Sequence, residues 1–195
     1  MPSFILASTS PRRKELLLRA GYSFDVQPSH VEETFRSSHF SPDAVKQLAY
    51  KKGKNVYERF PDRVVLSADT VVVKENQILG KPSHSMEAKE MLERLSGSRH
   101  DVYTAVAICS SQKEKVWIEK TTVHFYPLSP SLIASYLETE EPYDKAGSYG
   151  IQGFGALFVR KIEGDYYNVV GLPLSRVYRE LHHFSIVPSF TSSQK

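Results

Sequence analysis

The segment Val64–Val73 constrains the fold more than any other part of the chain. It begins with Val64-Val65-Leu66 and ends with Val71-Val72-Val73. A strand with consecutive apolar residues has both faces covered, because successive side chains point to opposite sides of the sheet. At 195 residues, the chain is long enough for one large domain or for two small lobes that share a core. The segment therefore predicts a buried strand in a sheet that is covered on both faces.

A polar group, Ser67-Ala68-Asp69-Thr70, interrupts this apolar strand. An ionised carboxylate between valines is costly unless it is paired, hydrogen-bonded or bound to a metal. The plain alternative is an aspartate at the end of the strand that caps a loop. The valines on both sides favour a functional carboxylate, which could hold a divalent ion or activate water. Asp69 is therefore the candidate catalytic residue.

The start of the chain predicts an anion site. Apolar Phe4-Ile5-Leu6-Ala7 suits a buried strand, and the hydroxyl residues Ser8-Thr9-Ser10 follow it directly. Ser10 suits a helix N-cap and Pro11 the first helical position. Free N–H groups and the helix dipole attract anions there, and the guanidinium groups of Arg12-Arg13 match phosphate oxygens. We interpret this stretch as a polyphosphate cradle; the alternative is a capped surface helix with solvated arginines.

The rest of the chain predicts helices that alternate with strands, which indicates an α/β fold with a mixed sheet and helices on its faces. Ala156–Ile162 and Tyr166–Val170 are predicted to be the two strands of a hairpin around Glu163-Gly164-Asp165. No linker-like stretch divides the sequence. We therefore predict a single domain over residues 1–188 and a flexible C-terminal tail over residues 189–195.

Two further groups of residues could complete a nucleotide site. Gly147–Gly155 contains four glycines, which would let the backbone approach a ligand closely, and Gln152 is its only amide side chain. An amide both donates and accepts, as a nucleobase edge requires; a simple bend before the next strand is the alternative. Lys81 and a lysine of Lys51–Lys54 could contact phosphate, and Glu32 or Glu33 could offer oxygen to a metal. Taken singly, each of these charged residues is more typically solvated.

Composition excludes several classes of protein. The net charge of +3, from 25 basic and 22 acidic residues, is too small to indicate nucleic-acid binding by electrostatics alone. The single Cys109 excludes an internal disulfide and suits a reducing compartment. No apolar run approaches the ~18 residues of a membrane span. We therefore expect a cytoplasmic protein with neither nucleic acid nor membrane as partner.

These motifs resemble, in order, those of the Maf family, nucleoside triphosphate pyrophosphatases once named septum-formation proteins. The resemblance extends from residue 4 to about residue 184. The matching stretches are Leu6–Leu17, Glu32-Glu33, Ser67–Thr70, Gly80–Pro82, Leu95–Gly97, Asp144–Gly153 and Val170–Pro173.

The resemblance implies a fold like that of the inosine triphosphate pyrophosphatases, an elongated mixed sheet with two lobes around a central cleft, often as a homodimer. It implies hydrolysis of a nucleoside triphosphate to the monophosphate and pyrophosphate, with Mg²⁺ or Mn²⁺ as the divalent cation. The Pro-Arg-Arg and Tyr-Gly-Ile-Gln-Gly patterns resemble the branch that acts on dTTP and UTP, with modified pyrimidine nucleotides as further candidates.

The resemblance also implies roles for individual residues. The counterpart of Asp69 is the proton acceptor, and the counterparts of Arg12, Thr70 and Gln152 are linked to substrate choice. Our hypothesis adds a phosphate-binding group and a metal shared between two carboxylates. The phosphate-binding group is Ser8, Arg12, Arg13, Lys52 and Lys81, and the metal ligands are Glu33 and Asp69.

Two other classes of function stay open at this point. A nucleotide-binding regulator of cell division or septum formation would bind dTTP without needing to hydrolyse it. An RNA-binding module is the second alternative, since this type of fold resembles some tRNA-binding domains. The small net charge and the lack of basic residues interleaved with aromatic ones argue against the RNA-binding module.

Overall fold

A computed structural model of the chain describes residues 4–32 and 39–191. Within these ranges, seven strands form one mixed sheet, and six α-helices flank it. The strands are β1 (Phe4–Leu6), β2 (Phe24–Val26), β3 (Val65–Lys74), β4 (Gln77–Leu79), β5 (Arg99–Cys109), β6 (Glu114–Phe125) and β7 (Val159–Glu163). The helices are α1 (Pro11–Arg19), α2 (Pro42–Tyr57), α3 (Ser85–Leu95), α4 (Pro130–Leu137), α5 (Tyr166–Val170) and α6 (Leu174–His182). None of the helices in these ranges is long and apolar enough to cross a lipid bilayer.

The strands lie in the order β2-β1-β3-β5-β6-β7, and β4 also pairs with β3. β1 runs parallel to β2 and β3, whereas the other pairs are antiparallel. β3 pairs with β5 from Val65 to Val73, so β5 occupies one whole edge of β3. The segment that most constrained the fold is therefore an interior strand, as predicted.

The opposite edge of β3 is shared by two short strands with a gap between them. β1 pairs with Val65 and Leu66, and β4 pairs with Val72 to Lys74. Within the described ranges, no strand covers this edge from Ser67 to Val71. Both short strands run towards the gap, so their carboxyl ends meet there. Ligands of α/β proteins bind in crevices outside the carboxyl ends of strands, so the topology predicts a site at this gap.

Two hydrophobic cores lie along the long strands on either side of the gap. The first packs the early part of β3 against α1 and α6, and the second packs the later part against α3 and α4. On the other sheet face, α2 covers β3 and β5 through Val45 and Ala49. The predicted mixed sheet with flanking helices and two lobes around a cleft is confirmed.

The predicted strand Tyr166–Val170 is wrong, because this segment forms helix α5. The Asp165 side chain caps the helix by accepting a hydrogen bond of 2.8 Å from the backbone N–H two residues later. Asn168 is fully buried, and its amide donates to Val102 O and Thr121 Oγ1, each at 3.0 Å. The cap and the buried amide outweigh the strand propensity of the neighbouring valines, so among the described strands β7 pairs only with β6.

The predicted tail begins with a turn that contacts the body of the protein. Ser189–Thr191 form one 3-10 turn, and Ser189 N donates to Gly21 O at 2.8 Å. Residues 192–195 lie outside the described ranges. The division into one domain and a tail stays a prediction.

Helix α2 packs closely on β3 at Gly53. A Cβ atom on Gly53 would lie 2.6 Å from Ser67 Oγ and 3.3 Å from Cys109 Sγ. Ser67 Oγ itself donates to Ala49 O at 2.7 Å, which fastens the helix to the strand. The missing side chain therefore permits the close helix–strand packing that brings Lys52, one residue earlier, to β3.

We expect Gly53→Ala to destabilise the protein, although alanine is the better helix former. The propensity gain is about 1 kcal/mol, whereas overpacking costs about 1–3 kcal/mol, so the net loss is up to about 2 kcal/mol. Urea unfolding measures this change in the free energy of unfolding. In a Ser67→Ala background the clash is relieved, and Gly53→Ala should cost less there. An equal cost in both backgrounds would contradict this explanation.

Candidate active site

The gap beside β3 opens into a cleft of about 830 Å³, a volume typical of small-molecule sites. The loop after β1, the start of α1, the middle of β3, the end of β4 and two later segments form its walls. Lys52 contacts Asp69 from behind the wall, and Glu33 lies outside the described residues. Among the residues selected from sequence, the cleft is lined by Ser8, Arg12, Arg13, Asp69, Thr70, Lys81 and Gln152.

A buried ion pair holds the candidate catalytic carboxylate. Lys52 Nζ lies 2.5 Å from Asp69 Oδ1, and the two side chains are only 6% and 9% exposed. The pair forms because alternate residues of β3 face α2. On that helix, Lys52 lies about one turn after Ala49 and so faces the same strand. The described part of the chain supplies no hydrogen bond to Asp69 Oδ2. The carboxylate is thus paired through one oxygen and borders the cleft, which leaves the other oxygen for water or a cation.

Arg13 is fixed by contacts with three different parts of the fold. Its Nε donates to Gly171 O at 2.8 Å, Nη1 to Ser8 Oγ at 3.2 Å and Nη2 to Thr70 Oγ1 at 3.0 Å. A guanidinium group has a rigid planar fork, so these bonds set its plane as well as its position. Arg13 therefore presents a preorganised positive charge to the cleft.

The N-terminus of α1 has the predicted cap. Ser10 Oγ accepts from Arg13 N at 3.5 Å, and Pro11 occupies the start of the helix. Ser10 N donates in turn to Ser8 Oγ at 3.2 Å, which fixes the hydroxyl loop. The loop and the helix start lie on the cleft wall, as expected for an anion site.

Thr70 faces away from Asp69, towards Arg13, and its hydroxyl proton is used inside the protein. Thr104 Oγ1 donates to Asn168 O at 3.0 Å, so it must accept from Thr70 across their 2.9 Å contact. Thr70 Oγ1 is then the acceptor for Arg13 Nη2. Thr70 can therefore offer a ligand only an acceptor lone pair, in addition to holding Arg13.

Arg12 spans the cleft to the second lobe. Its Nη1 lies 3.1 Å from Asp144 Oδ2, and Lys145 Nζ lies 2.5 Å from Oδ1 of the same carboxylate. Burial alone would raise the pKa of Asp144, but hydrogen bonds from Lys145 and Arg12 outweigh it and lower the pKa. Exposed ion pairs of this kind contribute about 0.2–1 kcal/mol, so Arg12 can exchange Asp144 for a phosphate at small cost.

The glycines of Gly147–Gly155 make close approaches to the protein itself. A Cβ on Gly153, where φ is +143°, would lie 2.4 Å from Glu141 Oε2. A Cβ on Gly155 would lie 2.5 Å from Gly150 O. These contacts favour the bend that was the alternative interpretation, while the exposed Gln152 remains on the cleft wall. Sequence reasoning missed Glu141, since nothing near it in the chain suggests its contacts.

A buried His–Tyr pair lies beneath the later part of the cleft. Tyr149 lines the cleft, and its hydroxyl lies 2.7 Å from His100 Nε2. Burial, reinforced by the charge of Lys74, lowers the pKa of His100 to about 3, and burial raises the pKa of Tyr149. Both groups are therefore neutral at physiological pH. The sequence shows seven scattered histidines and gives no sign that His100 is different.

The family follows from the whole sequence. The model of the family described as Maf-like protein matches residues 3–184. The chain belongs to the Maf-like family.

Two relatives of this Maf-like chain are similar over nearly its full length. A protein named dTTP/UTP pyrophosphatase from Bacillus cereus (strain ATCC 10987 / NRS 248) is 53% identical over 186 residues, 95% of this chain and 92% of that protein. One with the same name from Bacillus anthracis is also 53% identical over 186 residues, 95% of this chain and 97% of that protein.

Two solved structures are similar to part of the chain. The Ham1 protein of Staphylococcus aureus aligns with a TM-score of 0.42 and 14% identity, over 63% of this chain and 71% of that chain. Protein VC0702 from Vibrio cholerae aligns with a TM-score of 0.38 and 14% identity, over 72% of each chain.

We expect Lys52→Met to destabilise this Maf-like chain by about 3 kcal/mol, because breaking one side of a buried ion pair leaves an uncompensated charge. Lys51→Met is the matched control, since Lys51 is exposed on the same helical turn. Urea unfolding at neutral pH compares them. Lys52→Met/Asp69→Asn should recover much of the loss. Equal unfolding midpoints for Lys52→Met and Lys51→Met would contradict the prediction.

We expect the buried His100 to make the protein less stable as pH falls from 6.5 towards 3. Over this range the unfolded chain binds a proton that the folded chain does not, which costs about 1.4 kcal/mol per pH unit. His100→Gln should remove this part of the pH dependence, whereas His30→Gln, at an exposed histidine, should retain it. Urea unfolding at pH 7 and pH 5 gives the slopes. Equal slopes in all three proteins would refute the assignment.

Proposed function

We propose that this Maf-like chain hydrolyses dTTP and UTP to the nucleoside monophosphate and pyrophosphate. The observation that carries the proposal is the cleft, where the fixed guanidinium of Arg13 and the N-terminus of α1 face the same space as Asp69. The proteins named dTTP/UTP pyrophosphatase support this substrate class, since they are 53% identical over 95% of the chain.

The cationic wall of the cleft is suited to the triphosphate. The α1 N-terminus and Arg13 are rigid donors, and catalysis of phosphate transfer relies on donors that need not reorganise as charge develops. Arg12 reaches the same space from an exposed, exchangeable ion pair. Ser8 and Lys81 line the wall and complete the phosphate-binding group that we propose.

Asp69 is the group that we assign to the attacking water. In an in-line displacement, water attacks the α-phosphorus, the bond to the bridging oxygen breaks, and pyrophosphate leaves. Asp69 orients this water and accepts its proton through the oxygen that Lys52 does not bind. Lys52 keeps the carboxylate in position, and its predicted contact with phosphate stays a prediction.

The residues present fit a hard divalent cation in part. Mg²⁺ and Mn²⁺ bind through one or two carboxylates together with substrate phosphates, and Asp69 Oδ2 offers one such oxygen. Within residues 4–32 and 39–191, no three His, Cys, Asp or Glu side chains cluster as a complete ligand set. When bound, the ion would neutralise phosphate charge. Glu33, the second proposed ligand, stays a prediction.

Gln152 is the side chain that we assign to the base, with Arg12 and Thr70 as the other two specificity residues. The uracil and thymine edge presents an N–H between two carbonyls; the amide oxygen can accept from that N–H, and the amide NH₂ can donate to one of the carbonyls. Thr70 has no proton to offer, so its contribution passes through an acceptor lone pair or through Arg13.

Two expectations accompany this proposal. An enzyme that draws on the free nucleotide pool belongs in the cytoplasm, with a nucleotide rather than a nucleic acid as its partner. Assembly as a homodimer also stays a prediction.

The test is pyrophosphate release from dTTP, UTP, CTP and ATP with Mg²⁺ or Mn²⁺. We expect dTTP and UTP to be preferred, EDTA to abolish release, and Asp69→Asn to lower turnover by about 100-fold or more with the fold retained. Circular dichroism and urea unfolding serve as the folding control. Tight dTTP binding without pyrophosphate release would instead favour a nucleotide-binding regulator, and near-normal turnover of folded Asp69→Asn would remove Asp69 from the mechanism.

A further inference from the structure

Glu141, which itself lines the cleft, binds the loop that carries Gln152. Its Oε2 accepts a hydrogen bond from Phe154 N at 2.8 Å, and its Oε1 accepts one from Gly155 N at 3.0 Å. Tyr136 also donates its hydroxyl to Oε1, at 3.0 Å. Both carboxylate oxygens therefore bind the backbone two and three residues after the proposed base-reading residue.

The loop is shaped to receive this carboxylate. A Cβ on Gly153 would lie 2.4 Å from Glu141 Oε2, so a side chain there would exclude the contact. Burial and the neighbouring carboxylate raise the pKa of Tyr136, which keeps its hydroxyl protonated as a donor. Hydrogen bonds to an ionised acceptor are the stronger kind, so Glu141 is a strong anchor for an otherwise exposed loop.

The short segment 141–145 also contacts the phosphate side of the cleft. Lys145 Nζ donates to Glu141 O at 2.8 Å and to Asp144, which pairs with Arg12. Residues 141–145 thus lie between the Gln152 loop and the N-terminal arginines. Among the described residues, the side-chain hydrogen bonds of Glu141 join it to Tyr136 and to the Gln152 loop and not to the arginines, so its effect can be separated from that of the phosphate side.

We propose that Glu141 is a positioning residue for recognition of the nucleobase, because it holds the Gln152 loop at the place where the base binds. The proposal rests on the proposed function, since Gln152 must read the base of a triphosphate substrate. Glu141 itself contacts neither the proposed phosphate-binding residues nor Asp69 among its hydrogen bonds.

The test uses Glu141→Gln, which keeps the shape but replaces one oxygen with an amide NH₂ that faces a backbone N–H donor. We expect the KM for dTTP to rise about 10-fold while kcat changes less than about 3-fold. Inorganic tripolyphosphate, which has no base, should inhibit both proteins with the same KI. A general loss of structure would instead weaken both ligands.

Glu140→Gln is the matched control, because Glu140 is exposed, adjacent and loses the same charge. It should leave both constants unchanged. Gly153→Ala disturbs the same contact from the loop side, so it should raise the KM for dTTP even where Glu141→Gln folds poorly.

The outcomes separate the two proposals. No pyrophosphate release from any triphosphate by the wild-type protein would overturn the proposed function. A wild type that hydrolyses dTTP, with an unchanged KM in Glu141→Gln and Gly153→Ala, would overturn the positioning role. A parallel rise in the tripolyphosphate KI would also overturn it, by showing that the phosphate site had moved too.

Discussion

The contact between Lys52 and Asp69 is the interaction on which the rest of the site depends. A carboxylate in an apolar strand is tolerated only with a partner, and Lys52 supplies it at 2.5 Å. The partner can reach Asp69 only because α2 packs closely on β3, and this packing requires a residue without a side chain at Gly53. Gly53 lowers the intrinsic stability of helix α2. It is nevertheless needed, because it lets the neighbouring Lys52 reach Asp69, the candidate catalytic residue.

The second constraint is the incomplete edge of β3. Because β1 and β4 share that edge without meeting, the middle of the strand borders the cleft through residues on both of its faces. Asp69 faces α2 and Thr70 faces Arg13, yet both line the same space. A fully paired strand would have buried one of them beneath the sheet. The gap explains how adjacent residues with opposite orientations can belong to one site.

Sequence reasoning recovered the features that depend on local chemistry. The capped start of α1, the buried β3 and the cost of Asp69 within it all follow from neighbouring residues, and the structure brings Arg13 and Asp69 to one cleft. Sequence reasoning failed where contacts between residues far apart in the chain determine the local structure or the burial of a side chain. Asn168 turns a strand-like segment into α5 by bonding to other strands, and His100 is set apart only by its burial.

The glycine-rich segment shows the same limit in another form. Four glycines in Gly147–Gly155 suggest a backbone that approaches a ligand, but the atoms that they approach belong to Glu141, Lys145, Val72 and Gly150. The segment alone does not reveal these partners, because Val72 is distant in the chain and the chain must bend to bring Glu141 back to Gly153. The family resemblance could assign Gly147–Gly155 to a site, whereas only the structure shows which atoms its glycines approach.

The two adjacent arginines illustrate how one motif supplies two different physical properties. Arg13 donates to three fixed acceptors, so its charge is already in place before a ligand arrives. Arg12 makes an exposed ion pair with Asp144, which a phosphate can replace at little cost. A rigid cation lowers the reorganisation needed during reaction, whereas an exchangeable one lets the ligand enter and leave. The energetic difference arises from their partners, since the two side chains are chemically identical.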